Sequence, residues 1–300
     1  MSSRMLLLWS CAVPLLASTA AWPSDAPPAD PQIVVQPLRG GLHVISGAGS
    51  NVAVWHGPDG TVLVDDGVEA LTPQLLAAVE KIAPGPVRVV ISTHWHPDHT
   101  GGNEHFAGSG SVLVAHDNVR ARLSEPQTVA AYDLEVPAAP AGALPIVTFD
   151  DALSLHLNGD RLAALHVEAA HTDGDLVLWW EDANVVHVGD VYYSGTYPFI
   201  DRDSGGSLAG LVAALETVLS RADSRTIVIP GHGPVSNRAE LAAYRDMLVA
   251  TGRRVRELIG EGRNLDEVLA ARPTAAYDAV YGQGSMTVER FVGILYEDLA

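Results

Sequence analysis

The stretch that decides the fold is Thr93-His94-Trp95-His96-Pro97-Asp98-His99-Thr100-Gly101-Gly102-Asn103, preceded by the short apolar run Val87–Ser92. An apolar run of this length, following the Pro84-Gly85-Pro86 stop, reads as an internal strand. The histidines begin where it ends. His94 and His96 are two residues apart, so in extended chain their side chains point the same way. Pro97 then bends the chain and can turn Asp98 and His99 toward a second point. Imidazole and carboxylate at this density are the ligands that Zn²⁺ and other borderline metals favour. One histidine is easily a core residue; three beside an aspartate at a strand end are not.

Upstream, Leu42–Ile45, Asn51–Trp55 and Thr61–Val64 read as strands, with a turn at Gly57-Pro58-Asp59-Gly60. Asp65-Asp66-Gly67 closes the third strand. Leu71–Ile82 has helical spacing, with Leu71, Leu75, Leu76, Val79 and Ile82 on one side. Downstream, Ser111–Ala115 is a strand and Asn118–Leu123 a helix. Gln127–Ala143, rich in Pro and Ala, has no clear period and reads as a long loop, either a surface connection or a flap over a site. Strands resume at Ala152–Leu157, Arg161–Val167, Asp175–Trp180, Val185–Val188 and Thr226–Ile229. Helices are expected at Ser207–Leu219, Arg238–Ile259, near Leu265–Ala270 and at Thr287–Leu295. Each half runs strands first, then strand/helix alternation. That order predicts an α/β protein of two sheets packed face to face with helices outside.

The motif has the form HxHxDH, and in it the chain resembles the metallo-β-lactamase superfamily from about residue 38 to 235. The resemblance implies the αβ/βα four-layer sandwich of that family, with a metal site at the strand edge where the halves meet. It also points to later ligands: His171 in Ala170-His171-Thr172-Asp173-Gly174-Asp175, Asp190 in Val188-Gly189-Asp190, and His232 in Pro230-Gly231-His232-Gly233. By that likeness His94, His96 and His171 hold one metal, Asp98, His99 and His232 hold the other, and Asp190 bridges them with a hydroxide between. The cofactor implied is two Zn²⁺, with iron or manganese as alternatives. Asp98 would be the catalytic residue, orienting the hydroxide and handling its proton, and Asp65 would support the site from behind. His43, His56, His105, His116, His156, His166 and His187 read as structural or surface residues, His116 being the one that could lie nearer the site.

Tyr192–Asp201 holds three Tyr and one Phe in a chain with only 6% aromatic residues. Tyr193, Tyr197 and Phe199, with Trp95 between two ligands, are candidates for lining a substrate pocket, and capping of the sheet edge or core packing is the alternative. Ser204 or Ser207 is expected to cap the helix that follows.

Composition narrows the function. The 300 residues carry 18 Lys+Arg against 36 Asp+Glu, which argues against a nucleic-acid partner. The single Cys, Cys11, excludes a disulfide scaffold. Arg4, the apolar run Met5–Leu16 and the small residues Ala17–Ala21 read as a secretory signal at 1–20, too short to span a bilayer, with 21–37 as a loose lead-in. One domain with a helical C-terminal extension then fills 38–300. Removal of the signal would take away the only thiol, so no thiolate catalysis is available, and no Gly-x-Ser-x-Gly elbow is present either. A small-molecule substrate, no nucleic acid, no membrane association after cleavage and a periplasmic or secreted location are expected.

The resemblance leaves two enzyme readings. Export suits a β-lactamase, whose third subclass likewise has a histidine at the position of His99 and no Cys ligand but normally carries Ser where Asp190 stands. Asp190 is instead the pattern of glyoxalase-II-like thioesterases and other hydrolases of the fold. The reading is an exported dinuclear zinc hydrolase cutting an amide, lactam or ester bond. A thioesterase or lactonase is the alternative, and a non-catalytic metal-binding module is the non-enzyme hypothesis.

Overall fold

The structure, a computed structural model, describes residues 32–300. The signal at 1–20 and most of the lead-in lie outside the described residues. The end of the lead-in is not loose: Val34–Pro37 forms strand β1, an exposed edge strand antiparallel to β2 (Leu42–Ser46). Strands β3 (Val52–Gly57) and β4 (Gly60–Val64) extend this sheet as antiparallel neighbours. After helix α1 (Thr72–Ile82) come β5 (Val87–Ile91), the short helices α2 (Pro97–Thr100) and α3 (Asn103–Gly108), β6 (Val112–His116) and α4 (Asp117–Leu123). Both β5 and β6 join in parallel, as strands connected by helical crossovers must.

The segment 127–143, expected as a loop, is instead a small antiparallel hairpin of β7 (Gln127–Val129) and β8 (Leu134–Val136), followed by a single 3₁₀ turn at Ala141–Ala143. Val129 and Leu134 are buried, which ties the hairpin down. Three-residue strands give too short an alternation to read from sequence. Strand β9 (Val147–Phe149) then completes a seven-stranded sheet.

The second sheet has six strands: β10 (Ala152–Leu157), β11 (Asp160–His166), β12 (Leu176–Trp180), β13 (Val185–His187), β14 (Ile227–Ile229) and β15 (Ser236–Asn237). The β10–β11 turn is Asn158-Gly159, both with positive φ (51° and 79°), as a two-residue hairpin demands. Helix α5 (Leu208–Arg221) makes the crossover from β13 to β14, which pair in parallel. Helices α6 (Arg238–Gly260), α7 (Leu265–Ala270), α8 (Asp278–Tyr281) and α9 (Val288–Leu299) complete the chain.

Side-chain alternation explains the layers. On β3, Ala53 and Trp55 face the second sheet, and Val52 and Val54 face α1 and α3. On β12, Leu176, Leu178 and Trp180 meet that inter-sheet core, whereas Val177 and Trp179 pack against α5 and α6. Strands buried on both faces carry no polar positions, hence the unbroken Leu-Val-Leu-Trp-Trp of β12. The result is helix, sheet, sheet, helix: the αβ/βα sandwich.

Candidate metal centre

The centre lies where β5, β11, β13 and β14 all end on the same edge of the sandwich. From β5 the chain runs extended through Thr93, His94 and His96. His96 keeps an extended backbone (ψ 147°) and Pro97 opens α2, so Asp98 and His99 sit in a helical turn that faces a second point. His171 follows β11, Asp190 lies in the 3₁₀ turn Gly189–Val191 after β13, and His232 follows β14.

The seven residues form two adjoining groups of four and three. Ligand atoms of His94, His96, His171 and Asp190 lie within 4.8 Å of one another, as do those of Asp98, His99 and His232. Asp190 faces both groups. Its Oδ2 stands 3.8 Å from His94 Nε2, 3.7 Å from His171 Nε2 and 3.4 Å from His232 Nε2, while Oδ1 is 3.2 Å from His99 Nε2. Six of the seven are buried; His232, 24% exposed, marks the opening.

The partners of His94, His96, His99 and His171 fix which nitrogen of each ring faces inward. Asp65 ends β4 with φ of 62°, a left-handed conformation that Asp tolerates better than most residues. Its Oδ1 accepts from the Thr93 N–H (2.7 Å), and its Oδ2 accepts from Thr93 Oγ1 (2.9 Å) and from His99 Nδ1–H (2.7 Å). Having donated its proton to Asp65, Thr93 Oγ1 accepts from His94 Nδ1–H (3.0 Å). His171 Nδ1–H donates to the Phe199 carbonyl (2.9 Å), and His96 Nε2–H donates to Asp201 Oδ2 (2.9 Å). Carbonyl and carboxylate oxygens only accept, so each of those outer nitrogens keeps a proton, and the inner nitrogens present lone pairs wherever the ring is neutral.

Those lone pairs crowd together. His96 Nδ1 is 3.0 Å from His94 Nε2 and 2.9 Å from His171 Nε2, and His99 Nε2 is 3.4 Å from His232 Nε2. Both oxygens of Asp98 and Oδ1 of Asp190 are buried without a hydrogen-bond partner. Converging lone pairs and orphaned carboxylates repel each other unless a cation lies among them. The all-N/O donor set therefore fits two divalent metals, and a dinuclear metal-binding hydrolase site is present.

Electrostatics in the metal-free protein divide the groups. Burial, reinforced by the neighbouring His99, holds His94 well below the usual imidazole range, and burial likewise lowers His96. Burial opposes charge on His232 too, but Asp190 and Asp98 push it up to about 10, and Asp190, Asp65 and Asp98 hold His99 well above its ordinary value. Asp190 and Asp98 are lowered, burial being outweighed by those cationic rings.

Of the aromatic residues expected to line a pocket, Tyr193 and Phe199 stand against the ligands. The Tyr193 ring stacks on His232 (5.1 Å) and its phenol donates to Asp190 Oδ2. Phe199 stacks on His96 (5.9 Å) and meets His171 edge-on. Trp95 and Tyr197 need correction. Trp95 is buried in the core, where its ring meets His96 edge-on (4.7 Å) and its indole N–H donates to Ser204 Oγ (3.0 Å), so it packs behind the ligand and lines no pocket. Tyr197 is wholly buried, stacked on Phe291 of α9 with its hydroxyl on Asp278. Ser207, not Ser204, caps α5.

Several residues of the site carry no sequence signal. Asp201 holds His96 from a loop 105 positions away, and Asp175 accepts from the His171 and Thr172 N–H groups. Tyr132, in the β7–β8 turn, meets Phe199 at 4.9 Å. Asp66 accepts from the Gly102 N–H and so holds the end of the motif. His187 is structural: it bonds the Asn51 carbonyl and accepts from Gly189 N–H, bracing the turn that carries Asp190. His116 stacks on His166 (3.8 Å), caps α4 and takes no part in the centre.

Residues 46–238 match the family model described as the metallo-beta-lactamase superfamily. A metallo-beta-lactamase type 2 from Bacillus cereus is 28% identical over 200 residues, which is 66% of this chain and 73% of that protein. An acyl-coenzyme A thioesterase from Gallus gallus is 26% identical over 228 residues, covering 66% of this chain and 79% of the relative. Among solved structures, the stereoselective inverting sec-alkylsulfatase of Pseudomonas sp. superposes with a TM-score of 0.63 at 16% identity, over 89% of this chain and 51% of that one. That last likeness is one of fold.

Proposed function

The chain belongs to the metallo-beta-lactamase superfamily, and from that premise we propose that it is an exported dinuclear zinc hydrolase that opens an amide, lactam or ester bond, a β-lactam being the first substrate to test. The observation that carries this reading is the convergence of seven N and O donors, with the carboxylate oxygens of Asp98 left unpartnered beside them. His94, His96 and His171 would hold one zinc, Asp98, His99 and His232 the other, and Asp190 both. When bound, the metals supply an activated water and draw off the negative charge that develops on the attacked group.

The chain's own residues order that chemistry. Asp65, Thr93, Asp201 and the Phe199 carbonyl fix the ring tautomers, so the inner nitrogens need no rearrangement to ligate. Asp98 Oδ1 has no protein partner and is the atom that would take the water's proton. Tyr193, held protonated by burial and the Asp190 charge, keeps that carboxylate oriented. Substrate would enter past His232 and Tyr193, the half-buried side of the centre. Export rests on Arg4, Met5–Leu16 and Ala17–Ala21.

A second reading, a thioesterase or lactonase, is favoured by Asp190, because a carboxylate stands where the β-lactamases that resemble this chain carry Ser or Cys; the thioesterase relative agrees with it. Metal analysis of zinc-replete protein should give two ions per chain, and fewer than one would sink the dinuclear model. A panel of β-lactams, lactones and thioesters decides between the readings by the fastest turnover. In Asp98→Ala the rate on the best substrate should fall about 10²–10⁴-fold; unchanged turnover would refute the mechanism. Metal uptake with no turnover across the panel would favour a binding module.

A further inference from the structure

Phe199 and Asp201 present one side to the ligand histidines and another to a cleft of about 290 Å³, whose walls also include Ala130, Arg202, Arg290 and Glu297. The cleft thus shares a wall with the metal centre and is roofed by the β7–β8 turn and by α9. Its acids are largely engaged: Asp201 with His96 and the Ser204 N–H, Asp203 with the Ala130 N–H. Of its two cations, Arg202 is taken up by Glu297 (3.2 Å) and Asp298 (3.8 Å). Arg290 is different. It forms no ion pair with any carboxylate among the described residues, and its guanidinium carbon lies 4.7 Å above the Tyr132 ring.

Tyr132 connects this cation to the centre. Its ring meets Phe199 at 4.9 Å, and Phe199 in turn lies against His96 and His171. The Tyr132 phenol is pushed up to about 12 by burial, with Arg290 pulling down and Asp190 and Asp98 pushing up, so it lies within reach of the fields of all three. Arg290 therefore stands two rings away from the ligands. The guanidinium covers the Tyr132 ring and also hydrogen-bonds the Tyr132 phenol, and with five N–H donors it keeps others at its rim for a carboxylate. In a chain with twice as many acids as bases, an anionic substrate needs such a cation to settle beside Asp201 and Asp203. Helix α9 also lies outside the segment 46–238 matched by the family, so this contribution comes from the chain's own C-terminal helices.

We propose that Arg290 is a specificity-determining residue that receives a carboxylate on the substrate, remote from the bond that is cut. The preferred substrates are then acidic acyl compounds with an apolar portion laid along Phe199 and Tyr132. This inference rests on the hydrolase reading above, and its test separates the two. Para-nitrophenyl butyrate and para-nitrophenyl hemisuccinate offer similar esters that differ in a terminal carboxylate. In zinc-loaded Arg290→Ala, KM for the hemisuccinate should rise about tenfold or more, with kcat nearly unchanged and the butyrate unaffected; Arg290→Lys should recover part of the loss. Equal losses on both esters, or no change on either, would overturn the proposal. If the wild type hydrolyses neither ester, the ester part of the hydrolase reading is what fails, and its lactam part stands. Calorimetric binding of the intact hemisuccinate to the zinc-loaded wild type and Arg290→Ala then decides this inference, and equal Kd values would refute it.

Discussion

At the scale of single residues, the centre works because one nitrogen of each oriented ring is occupied. Asp201 is the clearest case: its Oδ2 takes the His96 Nε2 proton and so leaves Nδ1 for the metal. Asp201→Ala should lower zinc affinity about 10–100-fold, read by competition with a chromophoric chelator, while Asp201→Asn, whose amide oxygen can still accept that proton, should lose less. Equal affinity in Asp201→Ala and the wild type would show that the contact does not orient the ring. The two groups also differ in protonation. His94 and His96 are held neutral, so a metal entering there displaces no proton from either. His232, up at about 10, and His99 carry protons at neutral pH in the metal-free protein and must release them. Calorimetry at pH 7 in two buffers of different ionisation enthalpy should therefore show proton release mainly with the second zinc equivalent. The sign follows for occupancy: as pH falls from about 10 through neutrality, the Asp98–His99–His232 group loses its metal first. In the metal-free protein the raised His232 value acts oppositely, giving stability that is complete below the unfolded imidazole range near 6.5 and is lost as pH rises through about 10. Proton release with the first equivalent alone would contradict the division.

At the scale of elements, close backbone approaches position the ligand loops. A Cβ at Gly210, in the first turn of α5, would lie 1.9 Å from the carbonyl oxygen of Ala169, two residues before His171, whereas a Cβ at Gly293 in the middle of α9 would meet nothing within 4 Å. The same substitution should thus act oppositely at the two sites. Gly210→Ala should cost about 1–3 kcal/mol through forced overlap, and Gly293→Ala should add about 0.5–1 kcal/mol through reduced freedom of the unfolded helix; urea midpoints of the zinc-loaded proteins measure both. Destabilisation by Gly293→Ala would refute the contrast. Elements whose signal is local were legible in the sequence. The apolar run of β12, the Asn158-Gly159 hairpin and the HxHxDH segment each carry their pattern within ten residues, and the last holds four of the seven ligand candidates, the other three, His171, Asp190 and His232, following from the family resemblance. What escaped depends on distant packing. Trp95 turns to the core because Ser204 offers an acceptor there, Tyr197 is enclosed by α8 and α9 about 80 to 95 positions later, and Asp201 acquires its role only when its loop returns to His96. The β7–β8 hairpin is too short for its alternation to stand out from a Pro- and Ala-rich stretch.

At the scale of the whole molecule, the centre joins two halves that also meet through an apolar interface and a few polar contacts, such as Asn51 N–H to the Gly231 carbonyl (2.8 Å) and Leu176 N–H to the Thr93 carbonyl (2.8 Å). His94, His96, Asp98 and His99 come from the first sheet, and His171, Asp190 and His232 from the second. Bound metal would cross-link the open edge of the sandwich, while the core between β3 and β12 holds the rest. In this acidic chain the metal-free edge also concentrates Asp65, Asp98, Asp190 and Asp201, all buried. Their repulsion is relieved in part by protonated His99 and His232, and fully only by divalent cations. Chelation should therefore lower global stability by several kcal/mol, since ligand held at about a hundred times its Kd contributes about 2.7 kcal/mol per site. Hydrogen exchange tells where the loss falls. Amides of residues 93–103, 168–175, 189–194 and 230–233 should open faster in stripped protein, while β3 and β12 keep their protection. Exchange that accelerates evenly over both sheets would mean that the metals support the entire core, and exchange unchanged in the four loops would mean that they cross-link nothing.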